Sequence, residues 1–520
     1  MPLCPEHLPD DPAELARMVV HLDGEVERLK AMLRVFQDAI FGARSERRAV
    51  LSPDQIILDL GDLPLTDPHP DPPASNDNAE APRTLPRRGK DARRNVGALP
   101  LHLPRIEEVI EPAHTTCPCC AGALHRIGED IREALSVVPA SYWVKRRIFP
   151  KYACRTCEGA VVQARAPERV VEGGMATNEL VVAVAVAKFA WFLPLHRQVQ
   201  MMGCHGIDLD RSTLAGWMKR LAWWLRPLYE RQLQAIHRHP RVFCDETPLP
   251  VLVKGQHRTK RGQMWAHAVD DRPWQGPAPP AVTYVYAGSR LGRAIAEQLS
   301  GFSGLLQVDG YGAYKSLART ARGRIELAFC LAHARRKFVA VHKATGSAFA
   351  ARVIAVLAEV YGIEAGIRGR TAPERKAVRQ AQTRPLLEAL KSEMTGVLTD
   401  ISSQSTLAKA IRYTLAHWDG LTRCLEDGRL ELDTNTVERT MRSVALTRKN
   451  SLFAGNAGGA ETWAILASLV QTARLNGLDP TVYLNDVLDR IVSGATPISR
   501  LDDLLAWNWK AGCGADKLAA

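Results

Sequence analysis

The chain has 520 residues and a mass of 57.3 kDa, a length that predicts about three or four domains. Hydrophobic residues make up 46% and charged residues 24%, which excludes a mostly disordered, collagen-like or low-complexity protein. Lys and Arg number 68 against 56 Asp and Glu, giving a net charge of +12. A basic balance of this size favours a polyanionic partner such as nucleic acid.

The N-terminal residues lack the basic stretch and apolar core of a secretory signal. The most apolar run, residues 180–193, is interrupted by Lys188 and is shorter than the ~20 residues that a membrane span needs. We therefore expect a cytoplasmic, nucleoid-associated protein without a membrane partner.

Residues 12–50 are predicted to form a helix with a heptad seam. Its apolar positions are Leu15, Val19, Leu22, Val26, Leu29, Leu33, Phe36 and Ile40. A strict seven-residue repeat is typical of a coiled coil, so homo-oligomerisation through this leucine-zipper-like helix is expected. Packing of the same seam on its own domain is the alternative.

Residues 61–105 are predicted to be a flexible linker, because prolines at 64, 68, 70, 72 and 73 are incompatible with a regular helix or central strand. The linker is acidic at first and then basic. Its basic half can also approach DNA.

Residues 106–170 contain two Cys-x-x-Cys pairs. The four predicted ligands are Cys117, Cys120, Cys154 and Cys157. Two such pairs can hold one structural Zn²⁺ tetrahedrally, and the ion then replaces the core that a small module lacks. The sequence therefore predicts a zinc-binding ribbon.

Between the cysteine pairs, residues 142–152 interleave aromatic and basic side chains on a predicted strand. Lys145, Arg146 and Arg147 are candidate contacts to DNA phosphates. An ordinary face of the ribbon's hairpin is the alternative interpretation.

Residues 171–238 are predicted to be helical. A helix at 194–202, a glycine-containing turn and a second, basic helix from Arg211 are compatible with a helix-turn-helix-like DNA-binding region. Asp210 or Ser212 can cap the second helix. Plain helical packing would give the same pattern.

From residue 239 the pattern changes to short apolar strands, predicted at 242–248, 263–270, 281–286, 304–310 and 325–330. Helices are predicted at 291–299 and 333–341. This order matches a ribonuclease H-like α/β core over 239–344 and 431–490, interrupted by a helical insertion at 345–430 and followed by a C-terminal segment at 491–520. The complete chain is thus predicted to be multidomain α+β.

Three carboxylates occupy the positions that such a core uses for catalysis. Asp245 ends the first strand, Asp309 ends the fourth, and Glu438 lies on a helix after the insertion. The first and fourth strands are expected to be neighbours, which brings the two aspartates together. Carboxylates suit Mg²⁺ or Mn²⁺, and a metal pair can cleave a phosphodiester. Asp433 is an alternative third acid, and Glu246 is expected to point to the opposite face from Asp245.

Several motifs together resemble transposases of the insertion-sequence-66 family. They are CDETPLPV at 244–251, VDGYGAY at 308–314, CLAHARRKF at 330–338 and NTVERTMRSVALTRKNSLFAG at 435–455, with further similarity at 41–46, in the cysteine ribbon and at 497–509. The sequence departs from the family in having Thr434-Asn435 where a doubled asparagine is frequent, and Ser451 where an aromatic residue is frequent.

This resemblance implies a DDE transposase of a bacterial insertion sequence, with Asp245, Asp309 and Glu438 as metal-binding catalytic acids. It implies end cleavage, joining of 3′-hydroxyl ends to target DNA, and small accessory proteins of the same element. The basic residues after the glutamate are candidate DNA contacts or a solvated helix face: Arg439, Arg442, Arg448 and Lys449. A ribonuclease H-like nuclease or resolvase without strand transfer, and a zinc-containing DNA-binding regulator, are the alternatives.

Overall fold

The computed structural model describes residues 141–153 and 161–512, with isolated positions at 11, 105–107, 109 and 119, and side chains up to Trp509. The chain divides into two compact units, residues 44–148 and the remainder. The predicted heptad helix, the linker up to residue 104 and the four predicted zinc ligands lie outside the described residues.

A small hairpin flanks the second cysteine pair. Strands β1 (Lys151–Ala153) and β2 (Val161–Gln163) pair antiparallel, with Ala153 opposite Val161. The Cys-x-x-Cys at 154–157 therefore falls in the connection between two paired strands. The prediction of a strand over 142–152 was wrong for residues 142–150, which have no regular secondary structure.

Three helices precede the large sheet: α1 (Asn178–Phe189), α2 (Leu195–Gly203) and α3 (Arg211–His237). Their bounds confirm the predicted helix, turn and helix, although α3 is much longer than a short second helix. Asp210 occupies the N-cap position of α3 without a capping hydrogen bond from its side chain. Tyr229 and Gln232 of α3 hydrogen bond to the sheet, so this helix shares its buried face with the sheet rather than standing apart.

Five strands form a mixed sheet. They are β3 (Arg241–Leu252), β4 (Thr259–Val269), β5 (Ala281–Ala287), β6 (Gly304–Val308) and β7 (Ile325–Phe329). Their order is β5-β4-β3-β6-β7, with β4 antiparallel to both neighbours and β3, β6 and β7 parallel. All five strands were predicted, and the expected side-by-side placement of the first and fourth is confirmed.

Strand β3 runs four residues beyond its predicted end, through Pro248 and Pro250. Residues 241–243 pair with β6, whereas residues 243–252 pair with β4, so beyond Phe243 the strand pairs with β4 alone within this sheet. Proline is tolerated there because that side of the strand is an edge, where no ladder hydrogen bond from the missing N–H is needed.

The two faces of the sheet are covered by different helices. Phe243 and Met264 face a core shared with α1, α3, α12 (Asn435–Ser451), α13 (Ala457–Leu475) and α14 (Pro480–Val492). Cys244 and Trp265 face a second core with α4 (Gly292–Gln298) and α5 (Gly312–Thr320). Alternate residues of each strand thus enter opposite cores, as a pleated strand requires.

A helical stretch follows β7, as predicted, and has a core of its own. Its helices are α6 (Leu331–Thr345), α7 (Ala348–Ile367), α8 (Ala372–Val378), a π-helical turn (Arg379–Thr383), α9 (Arg384–Asp400), α10 (Thr406–Ala416) and α11 (Trp418–Thr422). Short 3₁₀ turns occur at Arg272–Trp274, Arg423–Leu425 and Ile498–Leu504, and α15 (Ala506–Gly512) closes the described chain.

None of the helices within the described ranges combines the length and apolarity that crossing a membrane requires.

Candidate active site

Asp245 lies on β3, two residues beyond Phe243, the last residue that pairs with β6. The backbone N–H of Glu246 donates to its Oδ1 at 2.9 Å. Burial raises the pKa of Asp245 well above its usual range, and the charges of Glu246, Asp309 and Glu438 raise it further. The three predicted acids therefore belong to one electrostatically coupled cluster.

Asp309 directly follows β6, the parallel neighbour of β3. Its Oδ1 accepts a hydrogen bond from the backbone N–H of Tyr311 at 2.9 Å, which fixes the carboxylate at the strand end. The next residue, Gly310, packs so tightly against Tyr413 of α10 that a Cβ would collide with the Tyr413 hydroxyl. The helical insertion therefore reaches this edge of the sheet.

Glu438 lies in the first turn of α12, with a side chain that is 15% exposed. Thr434 donates from its hydroxyl to Glu438 Oε1 at 2.9 Å. Val437 and Met441, its neighbours on the helix, are buried in the core on the Phe243 face of the sheet. Glu438 therefore lies on a helix that packs on the Phe243 face of the sheet.

A second group of potential ligands surrounds Glu438. Cys330, His333 and Glu438 each offer a ligand atom, and these atoms lie within 4.8 Å of one another. His333 Nδ1 is 3.9 Å from Glu438 Oε1, is buried, and has no hydrogen-bond partner among the described residues. This donor set fits a divalent cation, because thiolate, imidazole and carboxylate groups are all metal ligands.

Asp433, the rival for the third acid, is engaged locally. Its Oδ1 accepts from the backbone N–H of Asn435 at 3.0 Å, and its Oδ2 accepts from Asn435 Nδ2 at 2.7 Å. Burial first, and then the charges of Glu431 and Glu438, raise its pKa to about 6. Both oxygens of Asp433 thus stabilise the start of α12.

Glu246 faces away from Asp245, as predicted, on the side covered by α5. Arg290 binds its carboxylate, and the Tyr314 hydroxyl donates to Glu246 Oε2 at 3.3 Å. Burial and the charge of Asp309 raise the pKa of Glu246 to about 7, while Arg290 opposes this shift. Arg290 also stacks on Tyr311, with 4.1 Å between its Cζ atom and the ring centroid.

The predicted DNA contacts differ in how available they are. Lys145, Arg146 and Arg147 are exposed, and so are Arg439 and Lys449 on α12, whereas Arg442 is half-buried. Arg448 Nη1 donates to Thr247 Oγ1 at 3.1 Å and to the carbonyl of Pro248, so this guanidinium joins α12 to β3.

Sequence reasoning missed Arg290, Tyr314 and Thr434. Arg290 lies in a loop after β5 and carries no recognisable motif. Thr434 stands out in the sequence only as a departure from a family pattern, although a hydroxyl residue four positions before a glutamate is a local signal for the hydrogen bond it makes.

Family models match this chain over most of its length. A model described as "Transposase IS66 family" matches residues 173–462, and one for the zinc-finger binding domain of transposase IS66 matches 114–158. The IS66 C-terminal element matches 468–507, and a model described as "Transposase C of IS166 homeodomain" matches 28–107.

Three relatives from Sinorhizobium fredii match nearly end to end, and all three are described as uncharacterized. Protein y4jD is 54% identical over 98% of this chain and 99% of its own length. Protein y4qI is 39% identical over 96% of this chain and 92% of its own, and y4hP is 35% identical over 96% and 91%.

Proposed function

Because this chain belongs to the IS66 family of transposases, we propose that it cleaves DNA at the ends of a bacterial insertion sequence and joins the freed 3′-hydroxyl ends to target DNA. The observation that supports this proposal most directly is the coupling of Asp245 to Asp309 and Glu438, since three distant parts of the sequence contribute charge to one cluster.

We assign the five-stranded sheet to the ribonuclease H-like type. The second strand of the sheet is antiparallel to the first and the third, and the first, fourth and fifth strands are parallel, which is the arrangement expected for that core. In this assignment the described helices from α7 to α11 form the insertion between the second aspartate and the glutamate.

In the proposed site, Asp245, Asp309 and Glu438 hold divalent cations, either Mg²⁺ or Mn²⁺. The chemistry that such a pair supplies is activation of the attacking oxygen and stabilisation of the leaving oxygen. The protein's own contribution is positioning: backbone N–H groups orient the two aspartates, and Thr434 orients Glu438. His333 is close enough to Glu438 to assist in holding the same ion.

We further propose that the zinc ribbon and the basic residues bind DNA. Cys117, Cys120, Cys154 and Cys157 are the proposed ligands of one structural Zn²⁺, in agreement with the zinc-finger family match over 114–158. Lys145, Arg146, Arg147, Arg439, Arg442 and Lys449 are the proposed phosphate contacts. We also propose that the chain self-associates through the heptad helix and acts with small accessory proteins of the same element.

The test is strand cleavage and joining with purified protein, Mg²⁺, duplex DNA carrying the element's terminal inverted repeat, and a target plasmid. We expect end cleavage and plasmid products carrying the joined end, with both lost in Asp245→Asn. Cleavage without joining would indicate a nuclease or resolvase, and specific binding without cleavage would indicate a regulator.

A further inference from the structure

Strand β3 and helix α12 run side by side, away from the proposed catalytic acids. From Asp245 to Val251 the strand extends by about 20 Å, and from Glu438 to Ser451 the helix extends by about the same distance. At the far end the two elements are joined, because Ala454 forms a parallel bridge with Val251. Its N–H donates to the Pro250 carbonyl at 2.9 Å, and its carbonyl accepts from Leu252 N–H at 2.8 Å.

The hairpin that follows this junction is strongly basic. Lys254, Arg258, Lys260 and Arg261 are all exposed, at the end of β3, in the turn and at the start of β4. The sequence from 247 to 269 contains no Asp or Glu, so the hairpin supplies no counter-charge of its own. The charge of Arg261 also acts on Arg448 of α12, because burial first and then this charge lower the pKa of Arg448.

One acidic group near this end of the sheet is already engaged in an ion pair. Glu461 of α13, whose charge acts on Tyr286 of β5, forms a salt bridge with Arg226 of α3 at 3.3 Å. The positive charge of the hairpin is therefore presented to solvent without matching carboxylates from its own sequence.

Two exposed apolar residues adjoin the hairpin. Leu452 is 67% exposed and Phe453 is 40% exposed, directly before the bridge residue Ala454. Leu452 has a φ of +64°, a backbone conformation that is unfavourable for a branched side chain. Such side chains are normally buried in a protein core. Apolar side chains held at the surface beside four basic residues therefore suggest a ligand with both anionic and apolar parts.

We propose that this distal basic surface, defined as Lys254, Arg258, Lys260, Arg261, Leu452 and Phe453, binds duplex DNA about 20 Å from the catalytic acids. The four basic side chains would contact DNA phosphates, and the two apolar side chains would contact sugars and groove edges. At ~3.4 Å per base pair, the contact falls about six base pairs from the cleaved phosphate. The position relative to the cut rests on the proposed function, but the DNA binding itself does not.

The binding test uses full-length protein carrying Asp245→Asn, so that DNA is not cut, and a fluorescent 40-bp duplex with the element's end. Changing all four basic residues of the surface to Ala should weaken DNA binding at 100 mM KCl by about tenfold or more. The slope of log Kd against log salt should also fall by about 0.9 for each phosphate that the variant no longer neutralises.

Two matched variants separate this effect from net charge and from misfolding. Lys343, Arg370, Lys376 and Lys409 are exposed basic residues of the helical stretch that follows β7, and their replacement by Ala removes the same charge. Exchanging Lys for Arg and Arg for Lys at the four hairpin positions keeps the charge. We expect near-parental binding from both, and an equal loss in the insertion variant would overturn the proposal.

The position is tested with a photo-crosslinking amino acid at the exposed residue Gln256. We expect crosslinks about six base pairs from the cleaved phosphate. The absence of DNA crosslinks, together with unchanged binding by the alanine variant, would refute the surface. If the protein with Asp245 intact never cleaves DNA, crosslinking and binding that depends on the distal basic surface would support this surface and refute the proposed catalytic function.

Discussion

Arg290 donates two hydrogen bonds to a single oxygen of Glu246, from Nε at 2.9 Å and from Nη2 at 2.6 Å. The Glu246 side chain is only 3% exposed and follows Asp245 in sequence. One guanidinium therefore neutralises the buried carboxylate that adjoins the proposed catalytic cluster. This pairing opposes the rise in the pKa of Glu246 that burial and the charge of Asp309 cause.

Arg290→Ala should destabilise the protein because it leaves a buried carboxylate without its partner. Breaking a fully buried pair costs about 3–5 kcal/mol. Arg290 is 37% exposed, and solvent screening reduces the expected loss to about 1–3 kcal/mol in the free energy of unfolding. Urea denaturation of both proteins measures this difference.

The control is the double variant Arg290→Ala with Glu246→Gln, which removes the orphaned charge. It should recover part of the lost stability, giving a coupling energy between the two sites. Equal stability of Arg290→Ala and the parent protein would contradict a stabilising role for this pair.

Glu438→Gln and Asp433→Asn should have different effects on DNA cleavage. Replacing Glu438 removes a charge from the coupled cluster, so we expect the rate to fall by about 100-fold or more. Asp433 binds Asn435 through both oxygens, so its replacement should cost about 1 kcal/mol of stability and leave cleavage within about tenfold. Single-turnover cleavage and thermal unfolding of both variants measure the two effects.

The reverse pattern, with Asp433→Asn inactive and Glu438→Gln active, would make Asp433 the third acid. Comparable loss in both would indicate that the start of α12 acts as a unit.

The strands of the sheet were predictable because buried strands consist of short runs of apolar residues, which are visible in the sequence. The end of β3 was not, since Pro248 and Pro250 are signals against a strand unless one knows that its neighbour β6 has already ended. Residues 142–150 showed the opposite error. Their composition favours a strand, but a strand needs a partner, and pairing begins only at Lys151 opposite Gln163.

The candidate site was predictable to the extent that strand order determines it. The parallel strands β3 and β6 pair with Phe243 opposite Gln307, so the placement of Asp245 beside Asp309, each two residues further along, followed from topology. The partners of Glu246 did not, because Arg290 and Tyr314 come from a loop and a helix on the other face. Such contacts depend on side-chain packing that no local pattern encodes.

The zinc proposal predicts about one Zn²⁺ per purified chain, measured by elemental analysis. Changing Cys154 and Cys157 together to Ser should abolish binding, because two thiolates cannot hold the ion tetrahedrally. Cys119→Ser is the matched control, since this exposed cysteine lies within the first pair without completing the Cys-x-x-Cys spacing. It should retain the metal. Loss of zinc from Cys119→Ser, or retention in the double variant, would contradict the ligand assignment.

A buried histidine pair predicts that the fold loses stability in mild acid. The rings of His237 and His267 lie 4.9 Å apart, and His267 Nε2 bonds to Gln298 Oε1 at 2.9 Å. Burial lowers the pKa of His237 to about 4, and burial with the His237 charge lowers that of His267 to about 3. Both histidines are therefore neutral in the folded protein over a range in which they are charged when unfolded.

Because the unfolded chain binds these protons from a pH of about 6.5 downward, stability is complete above that pH and falls toward pH 4. Each neutral histidine contributes a slope of up to about 1.4 kcal/mol per pH unit. Urea unfolding between pH 7.5 and 4.5 measures the loss. His267→Gln should lose less stability over this range than the parent, whereas His196→Gln, at an exposed position, should match the parent. Identical pH dependence in His267→Gln and the parent would rule out proton uptake at His267 as a cause.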